Sequence, residues 1–405
     1  MNTEIKEIIV PRRLRVAVVS DSQLTPFFHK TPTTFERNLR AACRTMKELG
    51  CGFVVYAGDI CNRASKNGYK TYKRSFNDAF GDDKPVVQSI MGNHDYYVHP
   101  APRALFEREL GQSPFTHYVV NGWHFIGASP DSPSMYNGYT ETREWIAERL
   151  RIAEADGTDR PVFVTVHNAP RNTVYGSDRW GDDSLAGVFD GHPRAVVFSG
   201  HTHYSVLDPR SMWQGGYTVF NTQSLSYTEM EKGKANGSVP PLAYSAPMGY
   251  VLDFSEDKIE VLRYNMLTGR EQLPERRIVL PAKSAPALSP AVTEVPAPVF
   301  PDLAGEWEST ESGTVLRFAR AENAHSYEVR FSDGEVQTYF SSFYLGDEAE
   351  EREALVVYGK KAGVYDAEIR AVNALGEKSA ECVRISAVNV VSRRYRRKFA
   401  PEIWY

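Results

Sequence analysis

The sequence predicts an α/β protein with a layered core, followed by a second, smaller all-β sandwich domain. Three observations carry this reading. Short Val-, Ile- and Phe-rich runs alternate with amphipathic stretches from Leu14 to about residue 270, a proline-rich stretch follows, and beyond it the apolar residues recur with period two.

The runs Leu14 to Ser20, Phe53 to Ala57, Pro85 to Met91, Phe125 to Ala128, Val162 to Val166 and Ala195 to Ser199 read as strands buried on both faces. After the first, Thr33 and Glu36 form a capping box, and Phe35, Leu39, Cys43, Met46 and Leu49 recur at helical spacing up to Gly50. A second helix is expected from about Glu141 to Ala153. Residues 281–301, PAKSAPALSPAVTEVPAPVFP, cannot form a helix interior and read as an extended linker. The expected divisions are therefore 1–280, the linker 281–301, a sandwich over 302–390 and a basic, aromatic tail over 391–405. In the sandwich region Leu316 and Phe318, then Tyr327, Val329 and Phe331, then Tyr365, Ala367, Ile369 and Ala371 alternate along strands broken by turns.

Composition narrows the classes. The 405 residues carry 47 Lys and Arg against 51 Asp and Glu, a net charge of -4, which disfavours a generally basic nucleic-acid binder. No apolar run approaches the roughly 20 residues of a bilayer span. The first residues lack the features of a secretory signal, and the four cysteines form no CxxC pair, so reduced, buried thiols and a cytoplasmic location are expected.

The ends of the buried strands hold potential metal ligands: Asp21-Ser22-Gln23, Gly58-Asp59, Gly92-Asn93-His94-Asp95, His167, and Gly200-His201-Thr202-His203. Loops at the carboxyl ends of strands are where an α/β sheet opens its binding crevice. Carboxylate and amide oxygens mixed with imidazoles, without thiolate, suit Mn²⁺, Fe²⁺, Zn²⁺ or Ni²⁺. The candidates are too many for one ion, and two ions ~3.5–4 Å apart would use them.

In that order these elements resemble the calcineurin-like metallophosphoesterase superfamily, whose signature is DxH, GD, GNH[DE], a lone H and GHxH. The resemblance covers residues about 14 to 265. It implies a layered β-sandwich flanked by helices, with one divalent ion held by Asp21, Gln23, Asp59 and His203. A second would be held by Asn93, His167 and His201, with Asp59 bridging. It also implies that His94, oriented by Asp95, acts on the leaving group while a metal-bridging hydroxide attacks phosphorus. Gln23 stands where the family has His; its neutral amide oxygen would either weaken that position or shift it toward Mn²⁺ or Fe²⁺, or Gln23 would only hydrogen-bond to a metal-bound water. The purple acid phosphatase branch places Tyr three residues after the Asp of GD, where this chain has Asn62. The phrases AENAHSYEVRFSDG and YDAEIRAVNALGEKSAE resemble a fibronectin type III domain.

The expected activity is hydrolysis of a small phosphomonoester or phosphodiester. His29 and His99 would border the substrate, Tyr96 and Tyr97 would stack on it or pack in the core, and Arg63 or Arg171 would hold a phosphate oxygen or lie at the surface. The loop carrying Tyr175, Arg179, Trp180, Gly181, Asp182 and Asp183 would wall the pocket. Alternatives are a nuclease or cyclic-nucleotide phosphodiesterase, suggested by the tail and these aromatics, and a non-catalytic scaffold for a protein partner.

Overall fold

A computed structural model of the protein describes residues 4–27, 29, 31–289, 293–311, 313–345 and 351–391. The chain forms two compact units, Met1–Thr228 with Ala246–Thr293, and Glu229–Ser245 with Glu294–Tyr405.

The strands of the first unit are β1 (Ile5–Ile8), β2 (Arg15–Val19), β3 (Phe53–Tyr56), β4 (Val86–Ser89), β5 (Phe115–Val120), β6 (Trp123–Ala128) and β7 (Val162–Thr165). They continue as β8 (Ala195–Ser199), β9 (Met212–Gln214), β10 (Thr218–Asn221), β11 (Met248–Phe254), β12 (Lys258–Asn265), β13 (Arg270–Gln272) and β14 (Ile278–Pro281). Its α-helices are α1 (Thr34–Glu48), α2 (Lys66–Phe80), α3 (Pro102–Leu110), α4 (Thr142–Glu154) and the single turn α5 (Ser177–Trp180).

One sheet has the order β1-β5-β6-β7-β8-β10-β9, and the other β13-β12-β11-β2-β3-β4, with β14 paired to β12. Within them β2, β3 and β4 run parallel, as do β6, β7, β8 and β10. Phe53, Phe125, Phe163 and Phe254 meet between the sheets, with Phe125 and Phe163 stacked at 4.9 Å. Burial of such rings is the main driving term for closing the two layers. Helices α1, α2 and α3 cover the outer face of one sheet through Leu39, Met46, Tyr69, Phe76 and Phe106, and α4 covers the other through Trp145, Ile146 and Leu150.

The expected strands correspond to β2, β3, β4, β6, β7 and β8, with one correction. β4 is a sheet edge, so Val86 is exposed instead of buried on both faces. The capping box is half formed: Thr33 Oγ1 accepts from the Glu36 N–H, but the Glu36 carboxylate binds Arg40 and Arg74. Cys43, Cys51 and Cys61 are buried and unpaired, while Cys382 is half-buried.

In the second unit, β15 (Gly305–Thr310), β16 (Gly313–Ala319), β17 (Ser326–Phe331), β18 (Val336–Phe340), β19 (Arg352–Val356), β20 (Gly363–Val372) and β21 (Val383–Val390) form two antiparallel sheets. Their orders are β15-β16-β19 and β18-β17-β20-β21. Leu316, Phe318, Tyr327, Val329, Ile369 and Ala371 fill the space between them, as the period-two pattern requires. Tyr365 is only half-buried, because the pairing of β20 with β21 shifts between Tyr365 and Ala367. Among the described residues no helix is long and apolar enough to cross a membrane. The basic tail from Ser392 lies outside the described residues.

Candidate metal centre

The carboxyl ends of β2, β3 and β4 in one sheet and of β7 and β8 in the other converge. Asp21, Gln23, Asp59, Asn93, His167 and His203 are all buried there, each a few residues beyond its strand, and His201 lies half-buried among them. Asp21, Asp59 and His167 offer ligand atoms within 4.8 Å of one another.

Two groups of donor atoms are visible. His203 Nε2 lies 3.1 Å from Asp21 Oδ1, and 3.4 Å from Gln23 Nε2, the amide nitrogen, so Gln23 does not turn its oxygen to this ring. His167 Nε2 lies 3.1 Å from Asn93 Oδ1 and 3.4 Å from Asp59 Oδ1. Donors bonded at about 2.1 Å to one ion, and about 90° apart around it, would be separated by about 3 Å, which is the spacing of the His203–Asp21 and His167–Asn93 pairs.

Backbone carbonyls set the ring orientations. Nδ1 of His167 donates to Ala57 O at 2.8 Å, Nδ1 of His203 to Tyr227 O at 3.0 Å, and Nδ1 of His94 to Asn62 O at 2.9 Å. Anchoring Nδ1–H leaves Nε2 of His167 and His203 as the nitrogen turned toward the other donors. Nε2 of His201 is buried with no hydrogen-bond partner. That orphaned nitrogen, two buried carboxylates and a donor set without thiolate fit divalent cations.

The electrostatics agree. Burial works against the Asp59 charge, but the His167 and His94 rings outweigh it and hold this carboxyl well below the usual carboxylate range. Burial opposes protonation of His167, yet the Asp59 charge prevails and pushes the ring up to about 9. Burial, reinforced by His167, pushes His201 well below its ordinary value.

The local backbone is unusual. Among the described residues twelve non-glycine residues have positive φ, and five of them are Asp21, Gln23, Asp59, His201 and His203. Such conformations cost on the order of 1–3 kcal/mol each and cluster at functional sites. Glycines allow the close approach. A Cβ at Gly92 would collide with Asp59 Oδ1 and come within 2.6 Å of His167 Cε1; one at Gly200 would collide with Asp21 Oδ2.

The remaining expected residues separate into those at the centre and those engaged elsewhere. His94 donates its backbone N–H to Asp59 Oδ1 at 2.9 Å, and its Nε2 lies 4.0 Å from Asp59 Oδ2. Asp95 does not orient His94. It is buried beneath the loop, accepting from the N–H groups of Ile60, Cys61 and Gly92 and from the Tyr69 hydroxyl, so it holds the two metal loops together. Tyr97 packs its ring on His94, with centroids 4.9 Å apart, and bonds the Asn93 amide. Tyr96 is tied to Pro130 O and Arg103, and His99 Nδ1 accepts from the Ala101 N–H within its own loop. Arg171 is held by Asp183 and the Asp178 carbonyl. His29 is exposed and lines a separate cavity of about 360 Å³ between α1 and α2. Arg63 is exposed, beside Asn62. Trp180, on α5, lies 6.2 Å from His201 and walls the centre on that side. Tyr227, whose ring packs at a tilt on His203 with centroids 4.4 Å apart and whose carbonyl anchors its Nδ1, had no signal in the sequence.

Residues 14–205 match the family model for the calcineurin-like phosphoesterase. The first unit has the mixed α/β metallophosphoesterase fold. A dimetal phosphatase from Danio rerio is similar at 12% identity over 67% of this chain and 98% of its own, with a TM-score of 0.45. GAP50, described as the anchor in the inner membrane complex of Plasmodium, is similar at 15% identity over 67% and 89%, with a TM-score of 0.46. The purple acid phosphatase PPD1 from yellow lupin (Lupinus luteus) is similar at 12% identity over 64% and 53%, with a TM-score of 0.41. No curated protein matches the sequence.

Proposed function

We propose that the protein is a dinuclear-metal-dependent hydrolase of small phosphate esters, a reading that proceeds from the calcineurin-like phosphoesterase domain at residues 14–205. The observation that carries it is that the buried Asp21, Asp59 and His167, drawn from both groups of donors, offer ligand atoms within 4.8 Å of one another. Asp21, Gln23, Asp59 and His203 would hold one divalent ion, and Asp59, Asn93, His167 and His201 the other. When bound, such a pair supplies Lewis-acid activation of water and offsets charge on the phosphoryl oxygens.

The chain's own groups do the rest. His94, its Nδ1–H fixed on the Asn62 carbonyl, holds a proton at Nε2 for the departing oxygen. Trp180 and Tyr97 limit water on two sides of the centre. Arg63, exposed and with no ion-pair partner among the described residues, is our choice for the phosphoryl contact. We assign the second unit as a fibronectin type III-like sandwich, a reading supported by its three- and four-stranded antiparallel sheets.

Assay of p-nitrophenyl phosphate and bis-p-nitrophenyl phosphate with Mn²⁺ tests the reading. Metal-dependent turnover of either is the expected result, and its absence with both, across Mn²⁺, Fe²⁺, Zn²⁺ and Ni²⁺, would overturn it.

A further inference from the structure

Asn93 contributes a neutral amide to the centre, and an amide has two ends of nearly equal shape. Only Oδ1 can coordinate a cation; a half-turn about the last side-chain bond would put two N–H donors there instead. In the structure Oδ1 faces His167 Nε2 at 3.1 Å, and Nδ2 donates to the Tyr97 hydroxyl oxygen at 2.8 Å. The Tyr97 ring rests on His94, and the Tyr97 carbonyl accepts from the Ala64 N–H at 3.2 Å, so the hydroxyl is held from both sides of its residue.

The backbone spends free energy at this point. The next residue, Val98, has φ +76 and is 78% exposed. A β-branched side chain in the left-handed region is an outlier, and exposure leaves its own packing unable to offset the cost. The turn at His94–Tyr96, closed by the Tyr97 N–H on the His94 carbonyl at 3.1 Å, brings Tyr97 back over Asn93 and His94 immediately before this strained residue.

We infer that Tyr97 is a positioning residue, whose hydroxyl fixes the Asn93 amide with Oδ1 toward the second metal position and whose ring fixes the His94 imidazole. This rests on the dinuclear reading above, and it removes Tyr97 from the candidates for a substrate-stacking platform.

Calorimetric titration of the full chain with Mn²⁺ tests it, alongside thermal melting of the metal-free protein. Wild type should bind two ions. Tyr97→Phe keeps the ring and should weaken one of the two sites by about 10–100-fold, the usual effect of losing an outer-shell partner, while leaving the other site and the metal-free melting temperature unchanged. Tyr97→Leu should weaken the same site and, in addition, lower kcat for aryl phosphate. If Tyr97→Phe binds both ions as wild type does, or weakens both equally, or melts lower without metal, the positioning role is wrong. If wild type itself binds no second ion, the dinuclear reading fails first and this inference with it.

Discussion

The Asn62 carbonyl accepts the Nδ1–H of His94 at 2.9 Å, which turns the opposite ring nitrogen toward Asp59. His94 is thereby fixed beside the donor groups without belonging to either, and its contribution should be separable from metal binding. His94→Asn is expected to lower kcat on aryl phosphate by about 10²–10⁴-fold. Mn²⁺ affinity should stay within a few-fold of wild type, and parallel calorimetry and steady-state kinetics would show whether the two effects separate.

Gly200 passes so near Asp21 that an added methyl group would overlap Oδ2 and come within 2.8 Å of Ser20 Oγ. Neither neighbour has room to yield, since Ser20 is bonded to Thr222 at 2.7 Å and both residues are buried. Gly200→Ala should cost about 1–3 kcal/mol of stability through overpacking. It should also lose Mn²⁺ at the Asp21 side, a loss that no exposed Gly→Ala change such as Gly216→Ala would share. Urea melts and metal titration of both variants provide the comparison.

The two donor groups predict an asymmetric response to ligand removal. His203→Ala and His201→Ala should each reduce bound metal from about two ions per chain to about one, and chelation should abolish turnover until Mn²⁺ is restored. Elemental analysis after dialysis reads the stoichiometry directly; retention of two ions by either variant would remove that residue from the ligand set.

Away from the centre, a chain of side chains running from the buried His117 through His124 to the exposed Asp156 sets a pH limit on stability. His117 Nε2 lies 2.8 Å from His124 Nδ1, and His124 Nε2 lies 3.3 Å from Asp156. Burial, then His124 and Arg149, push the His117 ring from 6.5 down to about 3. The folded protein thus refuses a proton that the unfolded chain accepts below pH 6.5. Stability from this residue is complete above pH 6.5 and is lost as pH falls from there toward 3, at about 1.4 kcal/mol per pH unit. Urea melts at pH 7.5 and 5.0 should therefore show a loss about 2 kcal/mol greater for wild type than for His117→Gln. Equal losses would contradict the assignment.

Much of the centre was legible because its ligands are chemically distinctive side chains at the ends of recognisable strands. What holds them was not. The carbonyls of Ala57, Asn62 and Tyr227 orient three rings, and a carbonyl is the same at every residue, so nothing in the sequence marks it. Asp95 adjoins His94 in sequence, yet its carboxylate points away into four donors, an orientation set by the turn at 94–96 and invisible to spacing. Residues 229–245 lack hydrophobic periodicity, so their packing with the second unit, through Ala235 N–H to Thr338 O, left no pattern to read.

The left-handed backbone at Asp21, Gln23, Asp59, His201 and His203 has a bearing on protein design. Copying the same side chains onto the rim of another sheet would reproduce their identities but not their aim, because ordinary right-handed or extended stretches would splay them outward. What would have to be transplanted is the contorted path of the main chain, together with the rest of the domain that keeps it from relaxing.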